Sequence, residues 1–389
     1  MANKKVVIHI GTDKTGSTAI QRFIFDNKVA LEEKGVSVVP SQYKHHGHVF
    51  DAVDAGFWNK ITSIVDSISK SNISNHLISF EGLYHISGEN LKNFINHFSI
   101  FDVVVIIYFR NRGDKIRSGF SQRLKIHKID EGSSFLNEVV KNEDYEKLAF
   151  DRSLDYDAIV QRWELALQGI GRLKVGIYEK SSLVNGSVIE DFLYQAECFV
   201  SGEIDFLIAN SLIDKNAILN PSISPAGQCV MVLAAALGLN HTSLKSLREL
   251  IYKIDDPSER NHSIVPEAIV KLSNERYAKG DKRIAKKYLS RRRLFIDPPK
   301  FSYVNTSISR VLSLASNIFN NDTMLFNNVA KSKNDEINSY AVGLRDVAVR
   351  IESDRLNDAH LLMKLAGVIQ PDSLVIKRKL EIYESFLEK

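Results

Sequence analysis

A short apolar run followed by a loop rich in glycine, lysine and hydroxyl side chains stands near the start of the chain and limits the folds available to it. Residues 6–10 are mostly β-branched, as in a buried strand. The loop at residues 11–18 reads Gly-Thr-Asp-Lys-Thr-Gly-Ser-Thr, and apolar residues at helical spacing follow it. Backbone amides, the positive end of the helix dipole and a lysine then face one point. This order of strand, loop and helix predicts an anion cradle.

A second apolar run, from Phe101 to Phe109, is continuous and therefore typical of a central strand in a parallel sheet. Arg110 follows its last residue, and Ser118 lies eight positions later in a predicted helix. Ligands of open α/β sheets bind outside the carboxyl ends of the strands. We therefore expect Arg110 and the loop at residues 11–18 to face one crevice.

The loop resembles that of sulfotransferases that use 3′-phosphoadenosine 5′-phosphosulfate (PAPS), usually written P-K-[ST]-G-[ST]-T. The matching residues are Lys14, Thr15, Gly16, Ser17 and Thr18. Asp13 departs from the pattern, because the family usually has proline or another neutral residue there. Arg110 and Ser118 have the spacing of the arginine and serine with which these enzymes hold the 3′-phosphate. The resemblance, to bacterial carbohydrate-type members, covers roughly residues 5 to 297.

This resemblance implies in-line transfer of a sulfuryl group from PAPS to a hydroxyl or amine of a carbohydrate or glycolipid, as in polysaccharide biosynthesis, leaving adenosine 3′,5′-bisphosphate. Lys14 is assigned to the leaving phosphate oxygen, and the four residues after it to the 5′-phosphate. Arg110 and Ser118 are assigned to the 3′-phosphate. These residues require no metal, since such transfers are catalysed mainly by positioning of the reactants and stabilisation of charge.

The transfer also needs a base that takes the proton of the acceptor hydroxyl. Residues Leu77 to Leu83 are predicted to form a short strand carrying Glu81, and related bacterial sequences often have Ser-Ser-Glu at this point. His45 and His48, in an aromatic and histidine-rich loop after Pro40, are the second-rank candidates. Three close histidines without a carboxylate pair are weak support for a metal site.

Composition excludes several classes of protein. The formal net charge of +4 is too small to indicate nucleic-acid binding, and the two cysteines have no metal-ligand or disulfide spacing. No signal peptide is evident, and no apolar run reaches the ~18 residues that a membrane span needs. We expect a cytoplasmic protein without a transmembrane segment.

The predicted fold is a P-loop-like three-layer α/β/α sandwich with a mostly parallel central sheet and a C-terminal helical extension. The predicted domains are a catalytic domain at 1–300, an Asn/Ser-rich connector at 301–340 and a helical tail at 341–389. Within the tail, Ala359, Ala366 and Pro371 sit at the offsets of a single tetratricopeptide-like hairpin. This tail is a candidate surface for homo-oligomerisation or a protein partner.

Two alternatives stay open. A P-loop nucleotide kinase or hydrolase would have the pattern G-x-x-x-x-G-K-[ST], but here Lys14 precedes the second glycine and no Gly-Lys pair closes the loop. A catalytically inactive glycan-binding scaffold protein is the other alternative. Asp13 favours that second alternative, because a carboxylate beside a phosphosulfate is unfavourable unless it points away.

Overall fold

The computed structural model describes residues 4–39, 47–126, 151–209, 223–236, 241–263, 265, 267–300, 302–303, 308–321, 335–353, 356–370 and 372–387. The chain divides into two compact units. The first comprises Met1–Lys115, Ala149–Leu219 and Val270–Pro299, and the second comprises Ile116–Leu148, Asn220–Ile269 and Lys300–Lys389.

A five-stranded parallel sheet forms the centre of the first unit. Its strands are β1 (Lys5–His9), β2 (Val36–Val38), β3 (Asn75–Ser79), β4 (Asp102–Phe109) and β5 (Gly171–Ile177). They are arranged in the order β2-β3-β1-β4-β5, and each neighbouring pair is parallel. Strand β1 is central, with Ile8 opposite Ile78 on β3 and Val105 on β4. The predicted parallel α/β sheet is confirmed.

The helices around this sheet follow the strands in chain order. They are α1 (Ser17–Asp26), α2 (Lys28–Glu33), α3 (Gly47–Asp54), α4 (Trp58–Lys70), α5 (Gly88–His97), α6 (Arg112–Ile126), α7 (Tyr156–Leu167), α8 (Val188–Ala196) and α9 (Ser201–Ala209). Short 3₁₀ helices span Glu81–His85, Arg152–Leu154 and Val184–Gly186. Helix α6 starts in the first unit and continues in the second.

Alternation along the strands divides the apolar side chains between two faces of the sheet. Val6 and Ile8 pack in one core with the apolar faces of α4, α5 and α7. Val7 and Val104 pack in another with those of α1, α8 and α9. Helices therefore cover both faces, which confirms the α/β/α layering. Because both faces are buried, the strands read as continuous apolar runs rather than alternating ones.

The second unit is mainly helical. Its complete helices are α10 (Pro225–Ala236), α11 (His241–Ile254), α13 (Ile308–Asn321), α14 (Asp335–Ile351), α15 (Leu356–Ile369) and α16 (Leu374–Leu387), with a 3₁₀ turn at Pro257–Glu259. Helix α12 (Glu267–Leu289) begins here and continues in the first unit. Strands β6 (His262–Ser263) and β7 (Ser302–Tyr303) form a short parallel pair.

Two apolar cores hold the helices of the second unit. One unites α10, α11 and α13, and the other unites α14, α15 and α16 around Ala359, Met363, Ala366 and Tyr383. The helical periodicity predicted for the C-terminal tail is confirmed, and its first helix begins at Asp335, a few residues before the predicted start. In the described part of the chain, no helix is long and apolar enough to cross a membrane.

Candidate functional site

The candidate site lies at the carboxyl ends of β1, β3 and β4, which are neighbours in the sheet. The connection after β1 leads to β2 on one side of the sheet, whereas the connection after β4 leads to β5 on the other. Where adjacent connections leave in opposite directions, a crevice opens at the strand ends, and ligands of open α/β sheets bind there. The two predicted motifs follow these two strands.

The loop between β1 and α1 contains two residues with left-handed backbone. Gly16, at the N-cap of α1, has φ 80°, and Lys14 has φ 67°. A β-carbon at position 16 would lie 2.8 Å from Tyr178 Cε2 and 2.9 Å from Val188 Cγ1, so only glycine fits. Lysine in this conformation costs about 1–2 kcal/mol. Such strain is concentrated at ligand-binding sites, where it fixes a side chain or an amide in position.

Hydroxyl groups fix the inner part of this loop. The Thr12 hydroxyl donates to the carbonyl of Tyr108 on β4 (2.9 Å), and the Thr15 hydroxyl donates to the Thr12 carbonyl (2.5 Å). Thr12, Thr15 and Ser17 are buried, whereas Thr18 is exposed. The hydroxyl proton of Thr15 is therefore used inside the loop, and its backbone amide is the group that it can offer to an anion.

Arg110, the first residue after β4, contacts the loop directly. Its Nη1 donates to the backbone carbonyl of Lys14 (3.1 Å), and its guanidinium carbon lies 5.8 Å from the centre of the Tyr178 ring. Its Nε lies 3.9 Å from a carboxylate oxygen of Asp114, one turn further on. The Tyr156 hydroxyl donates to the Arg110 carbonyl (2.7 Å). Arg110 is only 9% exposed, so these contacts fix its orientation.

Asp13, the residue that departs from the sulfotransferase pattern, has a partner outside the loop. The hydroxyl of Tyr84, in the 3₁₀ helix after β3, donates to Asp13 Oδ2 (3.0 Å). Tyr84 is buried, and its backbone carbonyl accepts a hydrogen bond from Arg162 Nη2 (2.8 Å). The carboxylate of Asp13 is therefore tied to the element that follows β3.

Three of the predicted site residues have side chains outside the described part of the chain. Glu81 opens the 3₁₀ helix Glu81–His85, His48 lies in α3, and only their backbones are described. His45 lies outside the described residues altogether. Strand β3 ends at Ser79, so the prediction that this strand extends to Leu83 is wrong at its end. Phe80 is still extended and its N donates to His9 O (3.0 Å), but the chain turns into the 3₁₀ helix at the next residue, which ends the pairing with β1.

Ser118 lies in α6, is half-buried and belongs to the second unit. Its assignment to the 3′-phosphate therefore stays a prediction. Lys14, Thr15, Gly16 and Arg110, by contrast, are all in the first unit and are brought together at the ends of β1 and β4.

The sequence did not point to Tyr84, Tyr178 or Asp114, although each contacts a predicted site residue. A signal existed for Tyr178, because it directly follows β5 as Arg110 directly follows β4. Tyr84 carried none, because its contact with Asp13 depends on which strands are neighbours. Asp114 lies four residues after Arg110, and this helical spacing was a signal for their contact.

Among the described residues, no group of three or more His, Cys, Asp or Glu side chains is placed to hold a metal ion. Comparison of the chain with protein-family models, with curated proteins and with solved structures gave no match.

Proposed function

We propose that the protein is a PAPS-dependent sulfotransferase. The observation that carries this proposal is the hydrogen bond from Arg110 Nη1 to the Lys14 carbonyl, because it joins the two predicted phosphate motifs at adjacent strand ends. Two cationic residues, Arg110 and Lys14, are thus neighbours next to the start of α1, which suits a ligand with several anionic groups. The contact of Asp13 with Tyr84 supports the same proposal, since it directs the carboxylate to the 3₁₀ helix.

The residues present fit the co-substrate chemically. PAPS, when bound, supplies an activated sulfuryl group whose departure leaves negative charge on a phosphate oxygen. Lys14 would neutralise that charge, and the amides of residues 15–18 would bind the 5′-phosphate. Arg110 would hold the 3′-phosphate, because a guanidinium presents its donors in a planar fork that matches phosphate oxygens. The resemblance assigns Ser118 to the same phosphate.

Glu81 is the proposed base, and His45 and His48 are the alternatives. In this scheme the base accepts the proton of the acceptor hydroxyl as the acceptor oxygen bonds to sulfur and the bond from sulfur to the phosphate oxygen breaks. The position of Glu81, two residues after β3, supports this role, since β3 is the neighbour of β1 in the sheet. The acceptor proposed is a carbohydrate or glycolipid hydroxyl (or amine) in the cytoplasm, and this rests on the family resemblance alone.

A transfer assay tests the proposal. The protein is incubated in EDTA with PAPS labelled in the sulfuryl group and with polysaccharide, glycolipid and amino-sugar acceptors, and both labelled product and adenosine 3′,5′-bisphosphate are measured. We expect equal amounts of the two, loss of both in Lys14→Ala, and no change in Lys60→Ala, which removes an exposed lysine of α4. Hydrolysis of ATP that requires Mg²⁺, without use of PAPS, would instead support the nucleotide kinase or hydrolase.

A further inference from the structure

His9, the last residue of β1, lies directly beneath the loop and is fully buried. Its Nδ1 is 2.8 Å from the hydroxyl oxygen of Ser79, the last residue of β3. The edges of the Tyr108 and Phe192 rings enclose the imidazole, with ring centres 5.9 Å and 5.5 Å away. One nitrogen of the ring is thus held at the end of the neighbouring strand.

The other ring nitrogen faces the loop. His9 Nε2 has no hydrogen-bond partner among the residues that the structure describes. A β-carbon at Gly11 would lie 2.6 Å from Nε2 and 3.3 Å from Thr15 Oγ1, so His9 and Thr15 both border the space at Gly11. A buried donor or acceptor without a partner is rare and costly, and it points to a partner acquired in another state.

We propose that His9 is a positioning residue of the anion cradle, whose Nε2–H donates to Thr15 Oγ1 when an anion occupies the loop. The inference rests on the anion-binding role proposed for residues 14–18. Thr15 Oγ1 already donates its proton to the Thr12 carbonyl, so its lone pairs are the part that can accept from Nε2. The required tautomer follows if the Ser79 hydroxyl donates to Nδ1.

This arrangement would couple binding to loop geometry. The amide of Thr15 would bind the anion while its hydroxyl bonds to the Thr12 carbonyl and to His9 Nε2. Both the backbone and the side chain of Thr15 would then be fixed. The imidazole is suited to this as a neutral group, because burial lowers the pKa of His9 to about 3. The glycine at position 11 leaves room for the contact between His9 and Thr15, since any side chain there would collide with Nε2.

Two substitutions separate this role from a structural one. His9→Gln can place an amide nitrogen near the position of Nε2 and gives up the bond to Ser79. His9→Asn can place an amide oxygen near the position of Nδ1, where it accepts from Ser79, and gives up Nε2. We measure the dissociation constants of inorganic pyrophosphate and of adenosine 3′,5′-bisphosphate by calorimetry, with thermal unfolding as the check that each variant folds.

If Nε2 is the operative atom, His9→Gln should bind both anions within about twofold of the wild type and His9→Asn about fivefold to tenfold more weakly, the effect of one hydrogen bond. The reverse order, or equal losses, would overturn the inference. Pyrophosphate binding without adenosine 3′,5′-bisphosphate binding would contradict the sulfotransferase proposal but leave the His9 test intact. Failure of the wild type to bind either anion would overturn both.

A spectroscopic measurement on the wild type observes the two ring nitrogens of His9 directly. In protein labelled with ¹⁵N at histidine, the Nε2 signal of His9 should move on addition of pyrophosphate while its Nδ1 signal stays in place. The signal is assigned among the 11 histidines by its absence in whichever variant folds. A His9 Nε2 signal that does not respond at saturating pyrophosphate would contradict the proposed bond to Thr15.

Discussion

The guanidinium of Arg110 donates a hydrogen bond from Nη1 to the backbone carbonyl of Lys14, over 3.1 Å. Lys14 has the left-handed backbone that directs its neighbouring amides, so Arg110 supports a strained residue besides carrying charge. Removing Arg110 should therefore affect both the geometry of the loop and the electrostatics of the site.

Arg110→Ala should weaken binding of adenosine 3′,5′-bisphosphate by at least tenfold, since a hydrogen bond to a charged group contributes about 1.5–3 kcal/mol. The matched control is Arg22→Ala, which removes an exposed arginine of α1 that pairs only with Asp26 across one helical turn in the described contacts. Calorimetry on the two variants measures the difference. If the two variants bound adenosine 3′,5′-bisphosphate with equal affinity, Arg110 would not be part of the binding site.

Gly16→Ala and Gly35→Ala separate steric conflict from backbone strain. Both glycines have positive φ, 80° and 74°, but a β-carbon at position 35 meets nothing within 4 Å. Gly35→Ala should lose about 1–2 kcal/mol of unfolding free energy from strain alone. Gly16→Ala should lose more, because its methyl group also strikes Tyr178 and Val188.

Urea unfolding measures both free energies, and anion binding is measured on the folded variants. We expect weaker pyrophosphate binding only in Gly16→Ala. A Gly16→Ala protein as stable as Gly35→Ala, with normal anion binding, would mean that the close contact of Gly16 with Tyr178 and Val188 does not hold the loop in place.

Glu81→Gln tests the proposed base. The substitution keeps the size of the side chain but removes its basicity, so turnover should fall by about 10²–10⁴-fold, the usual contribution of a general base. Binding of adenosine 3′,5′-bisphosphate should stay unchanged, which calorimetry checks on the same sample. Normal turnover would transfer the proposed role of base to His45 or His48, and single alanine variants of these two would then be compared.

The buried imidazole of His9 predicts a dependence of stability on pH. Burial lowers its pKa from 6.5 to about 3, so between these values the unfolded chain binds a proton that the folded chain does not. Stability due to His9 is therefore constant above pH 6.5 and falls as the pH falls towards 3, by at most about 1.4 kcal/mol per pH unit. Urea unfolding of the wild type and of His9→Gln at pH 7.5 and 5 measures this difference, and equal pH dependence would show that His9 is not buried in the neutral form.

The sheet was predictable from sequence because its strands are buried on both faces and leave long apolar runs, as in Val103 to Phe109. Residues Tyr156–Leu167 were predictable as a helix because Ile159, Trp163 and Leu167 repeat at helical spacing and Asp155 caps the first turn. The end of β3 was not, because Phe80 continues the apolar run and is still extended, whereas the 3₁₀ helix begins at the next residue.

Of the site, the sequence predicted the residues that follow strands, Lys14 and Arg110. It could not predict that Arg110 would bond to the Lys14 backbone, because that depends on β1 and β4 being neighbours. The contact of Tyr84 with Asp13 depends in the same way on β3 lying next to β1. His9 was passed over because a single histidine within an apolar strand has no distinguishing pattern, and only its unpaired Nε2 marks it.

The measurement that tests the account most directly is calorimetric titration with adenosine 3′,5′-bisphosphate in EDTA, compared with adenosine 5′-diphosphate and with ATP plus Mg²⁺. We predict micromolar binding that requires the 3′-phosphate and no metal, and that is lost in Arg110→Ala. Absence of binding, or preference for ATP with Mg²⁺, would contradict the assignment of Lys14 to Thr18 as a PAPS-binding loop.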